Sequence, residues 1–393
     1  MEFSDRQSQR IMWTVLFLMP IVGMAVDLVA PSLPAISENL HVASSTSKNL
    51  ISIYMFGYAF GNFITGFLAD AWGRRNLLRL QLLGFILISL LPVFFQNIDV
   101  LLATRLLQGL MIGGVAVITR TVCMDVLPPE KLVRLGTLIG TMWGLGPVLG
   151  PIIGGYLQFY FGWTAGFIFF AVISSLAFIA VFFIVPETHL NRQALRVKTI
   201  KENFVQVITH KLFMAFVLLM SVTYSLMIIF STLGPFLIQV AMHYTPIFFG
   251  HLALWLGLVF LASTFICRYL LKKYPQKHLF FVSINGIFIL SLVFLFMAYL
   301  IGNNIILVTA ASALMYFACG MIYPMSMGRG LSFFKHIAGT ASSVMYLISM
   351  MITCLAAFLS SLVMLHNSVA LMWGYSLLMF VTVIIYWKVL RHN

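Results

Sequence analysis

The chain has 393 residues, 61% of them hydrophobic and 8% charged, which excludes a water-soluble globular protein. Its net charge of +13 would suit a nucleic-acid partner, but the basic residues are not gathered on one surface. They fall at the N-terminus, at alternate turns between apolar runs and at the C-terminus, a bias that records membrane insertion with both ends in the cytoplasm. Lys48 alone is assigned to the outer side, while Arg105 and Arg120 fall inside spans.

A hydrocarbon core about 30 Å thick takes roughly 20 helical residues per crossing. Twelve crossings nearly fill the chain. The polar stretch 1–10 leads into the first apolar run without a small-residue cleavage site, so it reads as an uncleaved first span. Spans are expected at 11–34, 49–68, 77–95, 100–124, 135–159 and 163–185. After the hydrophilic interval that begins at Pro186 the hydropathy repeats, with spans at 212–242, 247–271, 279–301, 305–325, 339–365 and 369–388. The predicted fold is an all-α membrane protein of twelve helices in two pseudo-symmetric six-helix bundles, residues 1–190 and 212–393, joined by a cytoplasmic linker at 191–211. Such a repeat implies a cavity at the midplane between the halves. Cys123, Cys267, Cys319 and Cys354 are scattered through apolar segments, so neither a disulfide framework nor a metal site is expected. No cofactor is implied either.

The carboxylates are scarce and one-sided. All ten Asp and Glu residues lie at or before Glu202, so the second half of the chain has no acid. Only Asp27 falls well inside a span, where an ionisable group costs several kcal/mol and is usually retained for a role. A helix rising from Ile11 puts Asp27 about 24 Å up, and Arg105 on the descending span four comes to a similar depth. An arginine beside a carboxylate favours its charged form, whereas loss of water favours the neutral one. The pair is therefore either a proton switch or a static lock between helices, and the absence of any other buried acid favours the switch. Arg120 lies about 60° round the helix from Arg105, so both can face one cavity. It either contacts a polar or anionic substrate or extends to the nearby interface. Asp125 points elsewhere and is expected to pair with Arg74 or Arg75.

The turn Gly66-Phe67-Leu68-Ala69-Asp70-Ala71-Trp72-Gly73-Arg74-Arg75 sets a carboxylate beside two guanidinium groups between apolar runs. Its pattern G-x-L-x-D-x-x-G-R-R resembles the loop between spans two and three of the major facilitator superfamily. Arg105, Gln108 and Gly109 resemble the R-x-x-Q-G signature of span four. Span five carries Gly144, Gly146, Pro147, Gly150, Pro151, Gly154 and Gly155, similar to the antiporter motif of drug-exporting facilitators. Physically, this is a tightly packed, kinked hinge. The end of span one, Asp27-Leu28-Val29-Ala30-Pro31-Ser32-Leu33-Pro34, resembles the twelve-span drug:proton antiporters. Arg120 with Asp125, Ser231 to Leu237, and Gly339 to Ser343 resemble their bicyclomycin/chloramphenicol-resistance (Bcr/CflA) branch.

That resemblance implies a bacterial inner-membrane exporter driven by protons, with Asp27 as the proton-responsive acid. With Arg105 at a matching depth as its coupling partner, the leading reading is export of small amphiphilic, drug-like or siderophore-like compounds. Asp70, Arg74, Arg75 and Asp125 would form a cytoplasmic charge latch. Some multidrug relatives carry a second acid lower in span one, where this chain has Met19. Helical spacing places Ile51, Met55, Tyr58 and Asn62 toward the cavity, with Tyr224 and Phe230 from span seven. His251 reads as an interfacial histidine. The expected partners are a small-molecule substrate, protons and lipid, with a monomer as the working unit and no nucleic acid. A dedicated metabolite or siderophore carrier, in either direction, and a passive facilitator without proton coupling are the alternatives. An ATP-driven pump is disfavoured by the lack of a G-x-x-x-x-G-K-[ST] loop, and an enzyme by the lack of a catalytic motif.

Overall fold

Prolines divide the first crossing. Ser4 opens α1 (Asp5–Leu16) through a capping box with Gln7. The helix stops at Leu16, four residues before Pro20, whose ring clashes with that carbonyl and which has no N–H to offer it. The chain resumes as α2 (Leu18–Asp27), tightens into a 3₁₀ turn at Ala30–Ser32 and continues as α3 (Leu33–Asn39). The crossing expected at 11–34 is therefore a series of helical pieces running end to end over Asp5–Asn39. The computed structural model describes residues 4–127, 129–188, 197–334, 337–363 and 367–391, and no strand occurs among them.

α4 (Ser44–Trp72) and α5 (Arg74–Phe94) meet at Gly73. The turn expected at 66–75 is consequently one residue wide: most of it is the last two turns of α4, and Arg74 and Arg75 already belong to α5. Gly73 has φ 89°, a left-handed value that a side chain would resist. There follow α6 (Ile98–Val126), α7 (Pro129–Phe161) and α8 (Thr164–Ile184). Within the interval expected as a linker, residues 191–196 lie outside the described residues, Val197–Ile208 form α9, and Lys211 already opens the next helix. Val207 and, less completely, Phe204 of α9 pack into an apolar cluster with Phe213 and Val344, so this segment is docked against the second half.

The second half comprises α10 (Lys211–Pro235), α11 (Pro246–Leu270), α12 (Gln276–Ile301), α13 (Ile305–Ser332), α14 (Ala338–Ser361) and α15 (Val369–Ile385). α10 and α15 each end in a π-helical turn, Phe236–Ala241 and Tyr386–Leu390. Among the described residues, eleven helical segments are long and apolar enough to cross a membrane, and the 29-residue α4 lies between the first and second of them in chain order. The result is an all-α, twelve-helix membrane protein in two six-helix bundles.

α7 holds this arrangement together. It runs without interruption through Pro147 and Pro151. A methyl group added at Gly146 would collide with Gly23 of α2, and one at Gly154 with the Leu28 carbonyl. On its other side α7 meets α11: a Cβ on Gly250 would come within 2.7 Å of the Pro151 carbonyl. Without a hydrophobic drive between helices in lipid, such backbone-to-backbone packing is a main source of association. The glycines of span five thus tie α7 to its own half and to the other half at once.

Candidate functional site

A small cavity lies between the two bundles, where spans one, two, five, seven and eleven approach one another. It is lined by Val22, Gly23 and Val26 of α2, Tyr54, Met55 and Tyr58 of α4, Trp143 of α7, Tyr224 of α10 and Met350 of α14. Its free volume, about 10 Å³, suffices for about one water molecule. Trp143 and Tyr224 close it across the halves with ring centroids 5.7 Å apart, and Tyr323 backs Tyr224 at 6.0 Å. Of the residues assigned to the cavity from sequence, Met55, Tyr58 and Tyr224 line it. Ile51 and Asn62 occupy the same helix but are buried outside its lining. Phe230 is turned into the second bundle, stacked on Phe249 at 5.6 Å and edge-on to Tyr316, which corrects its placement at the cavity. Helical spacing finds the face of α10 only approximately, because that helix is buried nearly all round and every face reads as apolar.

Tyr54 and Trp143 are cavity residues that sequence reasoning missed. Tyr54 stands one turn before Tyr58, so the same periodicity carried the signal. Nothing in the sequence distinguishes Trp143 from the other tryptophans.

Asp27 is the last residue of α2 and only 5% exposed. Its carboxylate accepts a hydrogen bond of 2.7 Å from the Ser231 hydroxyl on α10, in the other bundle. Arg105 is fully buried at the same depth, but it does not form the ion pair with Asp27 that the sequence suggests. Its Nη1 donates to the Ala25 carbonyl and to Gln108 Oε1, both at 3.1 Å, and its Nε to the Leu50 carbonyl at 3.3 Å. The guanidinium also lies over the Tyr54 ring, 4.1 Å from its centroid. A five-donor planar group is better served by converging carbonyls than by one carboxylate already engaged elsewhere. Nη2 of Arg105 and the Tyr54 hydroxyl are buried without a hydrogen-bond partner, which leaves donors for water or substrate beside the cavity.

Arg120 stacks over the ring of Tyr346 on α14, 4.2 Å from its centroid. This contact also bridges the halves. Nearer the end of α6, Arg74 pairs with Asp125 Oδ2 and donates to the Thr121 carbonyl, and the Thr188 hydroxyl donates to that same carboxylate oxygen. The Asp70 side chain lies outside the described residues. Arg75 joins the cluster through its backbone rather than through its guanidinium. Both Arg74 and Arg75 donate their backbone N–H groups to Glu187, at 2.9 and 3.2 Å. Glu187 therefore caps the start of α5, where free N–H groups and the helix dipole favour an anion. Sequence reasoning missed it because nothing local links position 187 to the span two–three turn.

At the opposite end of the bundle the halves are joined by a second set of contacts. Lys48, assigned to the outer side, is 1% exposed and donates to the Val363 carbonyl just past the end of α14 at 2.9 Å, with the Phe236 ring 5.0 Å away. Ser361 donates to Asn49 Oδ1 at 2.6 Å, and Gln239 to the Pro31 carbonyl at 3.0 Å. Cys354 donates to the Ser52 carbonyl at 3.2 Å. His251 sits at the α7–α11 boundary, 3.3 Å from the Tyr156 hydroxyl.

A twelve-helix bundle with a central cavity, sealed across its midline by side-chain contacts between halves, is the body of a membrane transporter. Residues 15–357 match the Major Facilitator Superfamily, and the chain belongs to that family. It is 26% identical over 235 residues to a bicyclomycin resistance protein homolog of Haemophilus influenzae, covering 59% of this chain and 58% of that relative. It is 23% identical over 341 residues to the multidrug resistance protein MdtM of Escherichia coli, covering 84% and 80% of the two chains. Among solved structures, a D-xylose–proton symporter superposes with a TM-score of 0.71 over 97% of each chain at 12% identity, which speaks for the fold alone.

Proposed function

We propose that this chain is a proton-coupled antiporter that exports small amphiphilic compounds, drug-like or siderophore-like, across the bacterial inner membrane by alternating access. Both termini face the cytoplasm, as the distribution of basic residues favours. Residues 1–190 and 212–393 act as the two moving bodies, with 191–211 between them, and one copy is the working unit. The relatives named for bicyclomycin and multidrug resistance support this branch of the superfamily.

The observation that carries the reading is the bond from Ser231 to Asp27. A charged carboxylate is a much stronger acceptor than a neutral carboxylic acid. Protonation of Asp27 weakens its hold on α10, and deprotonation restores it, so one proton biases how the two bundles sit against each other. Arg105 lies at the same depth and favours return of the negative charge. The substrate occupies the cavity beside Val26 and Tyr58 when the halves part, and Arg120 reaches its polar end. Gly144, Gly146, Pro147, Gly150, Pro151 and Gly154 form the packed axis about which the bundles rock, and Asp70, Arg74, Arg75 and Asp125 the latch on the cytoplasmic side.

In proteoliposomes with an imposed pH gradient, Asp27→Asn should abolish uphill transport and keep substrate binding. Uphill rates equal to wild type in that variant would refute the coupling and leave a passive facilitator or a differently driven carrier.

A further inference from the structure

Away from the central cavity, a groove of about 600 Å³ lies between the beginning of α10 and the end of span twelve. Its walls are Leu212, Ala215 and Leu218 on α10 and Ile385 at the end of α15. Its mouth carries two lysines, Lys211 and Lys388, one from each wall. The groove forms where span twelve changes from α15 into the π-helical turn Tyr386–Leu390, which contains Lys388.

Both lysines are exposed, and no Asp or Glu side chain of the second half can pair with either, since the sequence contains none after Glu202. Lys211 is also the first residue of α10, a 25-residue helix whose positive end adds to the local field. Positive charge at the mouth and aliphatic walls behind it, at the membrane boundary, call for an amphiphile with an anionic head. Because Lys211 and Lys388 are exposed while Ala215 is buried, the groove opens at the surface of the bundle. We propose that it is a binding site for an anionic phospholipid of the leaflet on the side of the chain termini. The phosphate sits between Lys211 and Lys388 and an acyl chain lies along Ala215, Leu218 and Ile385. Basic pockets between helices on this side of a membrane are suited to such headgroups. The assignment of this side to the cytoplasm rests on the topology proposed above, but the binding itself does not depend on proton coupling or on any transported substrate.

The test is lipid retention by the purified full chain in neutral detergent, read by native mass spectrometry and by thermal unfolding. Wild-type protein should retain one phosphatidylglycerol or cardiolipin in preference to phosphatidylcholine and unfold at a higher temperature with it. The Lys211→Gln/Lys388→Gln variant should bind the anionic lipid about thirty-fold more weakly, the loss expected for two lysines near an anionic head. Lys272→Gln/Lys273→Gln, which removes two exposed lysines from another turn, should retain it as wild type does. Equal loss in both double variants would mean diffuse attraction, and equal retention of phosphatidylcholine an unselective apolar slot. Stabilisation by inorganic phosphate alone would mean a soluble anion. Any of these three results overturns the proposal, as does unchanged retention in the Lys211/Lys388 variant.

Discussion

Ser231 donates its hydroxyl to the Asp27 carboxylate at 2.7 Å, joining α10 to the end of α2 across the boundary between the two bundles. This buried acid is therefore held by the half of the molecule that contains no acids of its own. A hydrogen bond to a charged group contributes about 1.5–3 kcal/mol, and it is this contribution that protonation would modulate. Ser231→Ala should leave proton-driven transport working, because the titrating group remains, while shifting the resting equilibrium between conformations. The check is cross-linking between cysteines placed on α2 and α10. Loss of uphill transport as complete as in Asp27→Asn would instead make Ser231 part of the proton path.

Lys48 lies at the far end, with its ammonium buried against the Val363 carbonyl. A lysine donating to the terminal carbonyls of a helix also meets the negative end of its dipole. Lys48→Met keeps the length of the chain and removes the charge, so α4 and α14 should separate at that end. Cys354, which donates to Ser52 one turn further along α4, is the reporter, since Cys123, Cys267 and Cys319 are buried. Modification of Cys354 by a membrane-impermeant thiol reagent should rise several-fold. An unchanged rate would show that Asn49 and Gln239 close this end without it.

The glycines of α7 are not equivalent. Gly154→Ala drives a methyl into the Leu28 backbone and Gly146→Ala into Gly23, neither of which can give way as a side chain can. Both substitutions should lower the thermal unfolding temperature sharply or prevent accumulation in the membrane, the overpacking cost being about 1–3 kcal/mol or more. Gly140 has nothing within 4 Å of an added Cβ. Gly140→Ala should be neutral or stabilise by up to about 1 kcal/mol through helix propensity. A Gly140 variant as damaged as the other two would argue that α7 needs backbone freedom more than close contact.

Glu187 accepts from the first two N–H groups of α5 and so couples the end of span six to the start of span three. Glu187→Gln keeps an acceptor and loses the charge, while Glu187→Ala loses both. Stability should fall in that order, by about 0.5 and about 1–2 kcal/mol. Thermal unfolding in detergent measures it. Equal stability of Glu187→Ala and wild type would remove Glu187 from the charged cluster at Arg74 and Asp125.

Much of this protein was legible before folding. The number of crossings follows from hydropathy because backbone polar groups in lipid must be paired within helices, and that leaves little choice of structure. The rarity of buried acids singled out Asp27, and the pairing of Arg74 with Asp125 was within reach because both sit at helix ends on one face. The partner of Asp27 was not legible. Depth along a helix put Arg105 beside it, but depth says nothing of azimuth, and converging carbonyls from α2 and α4 compete for the same guanidinium.

Ser231, Glu187 and the buried Lys48 share one property: each bonds to a group more than a hundred residues away. Local sequence fixes which segments are helical and how far each reaches through the membrane, because those depend on side chains a few positions apart. The tertiary structure alone decides which polar atoms meet, because a hydrogen bond needs its partner within about 3 Å. Only the packing of helices brings such distant atoms that close.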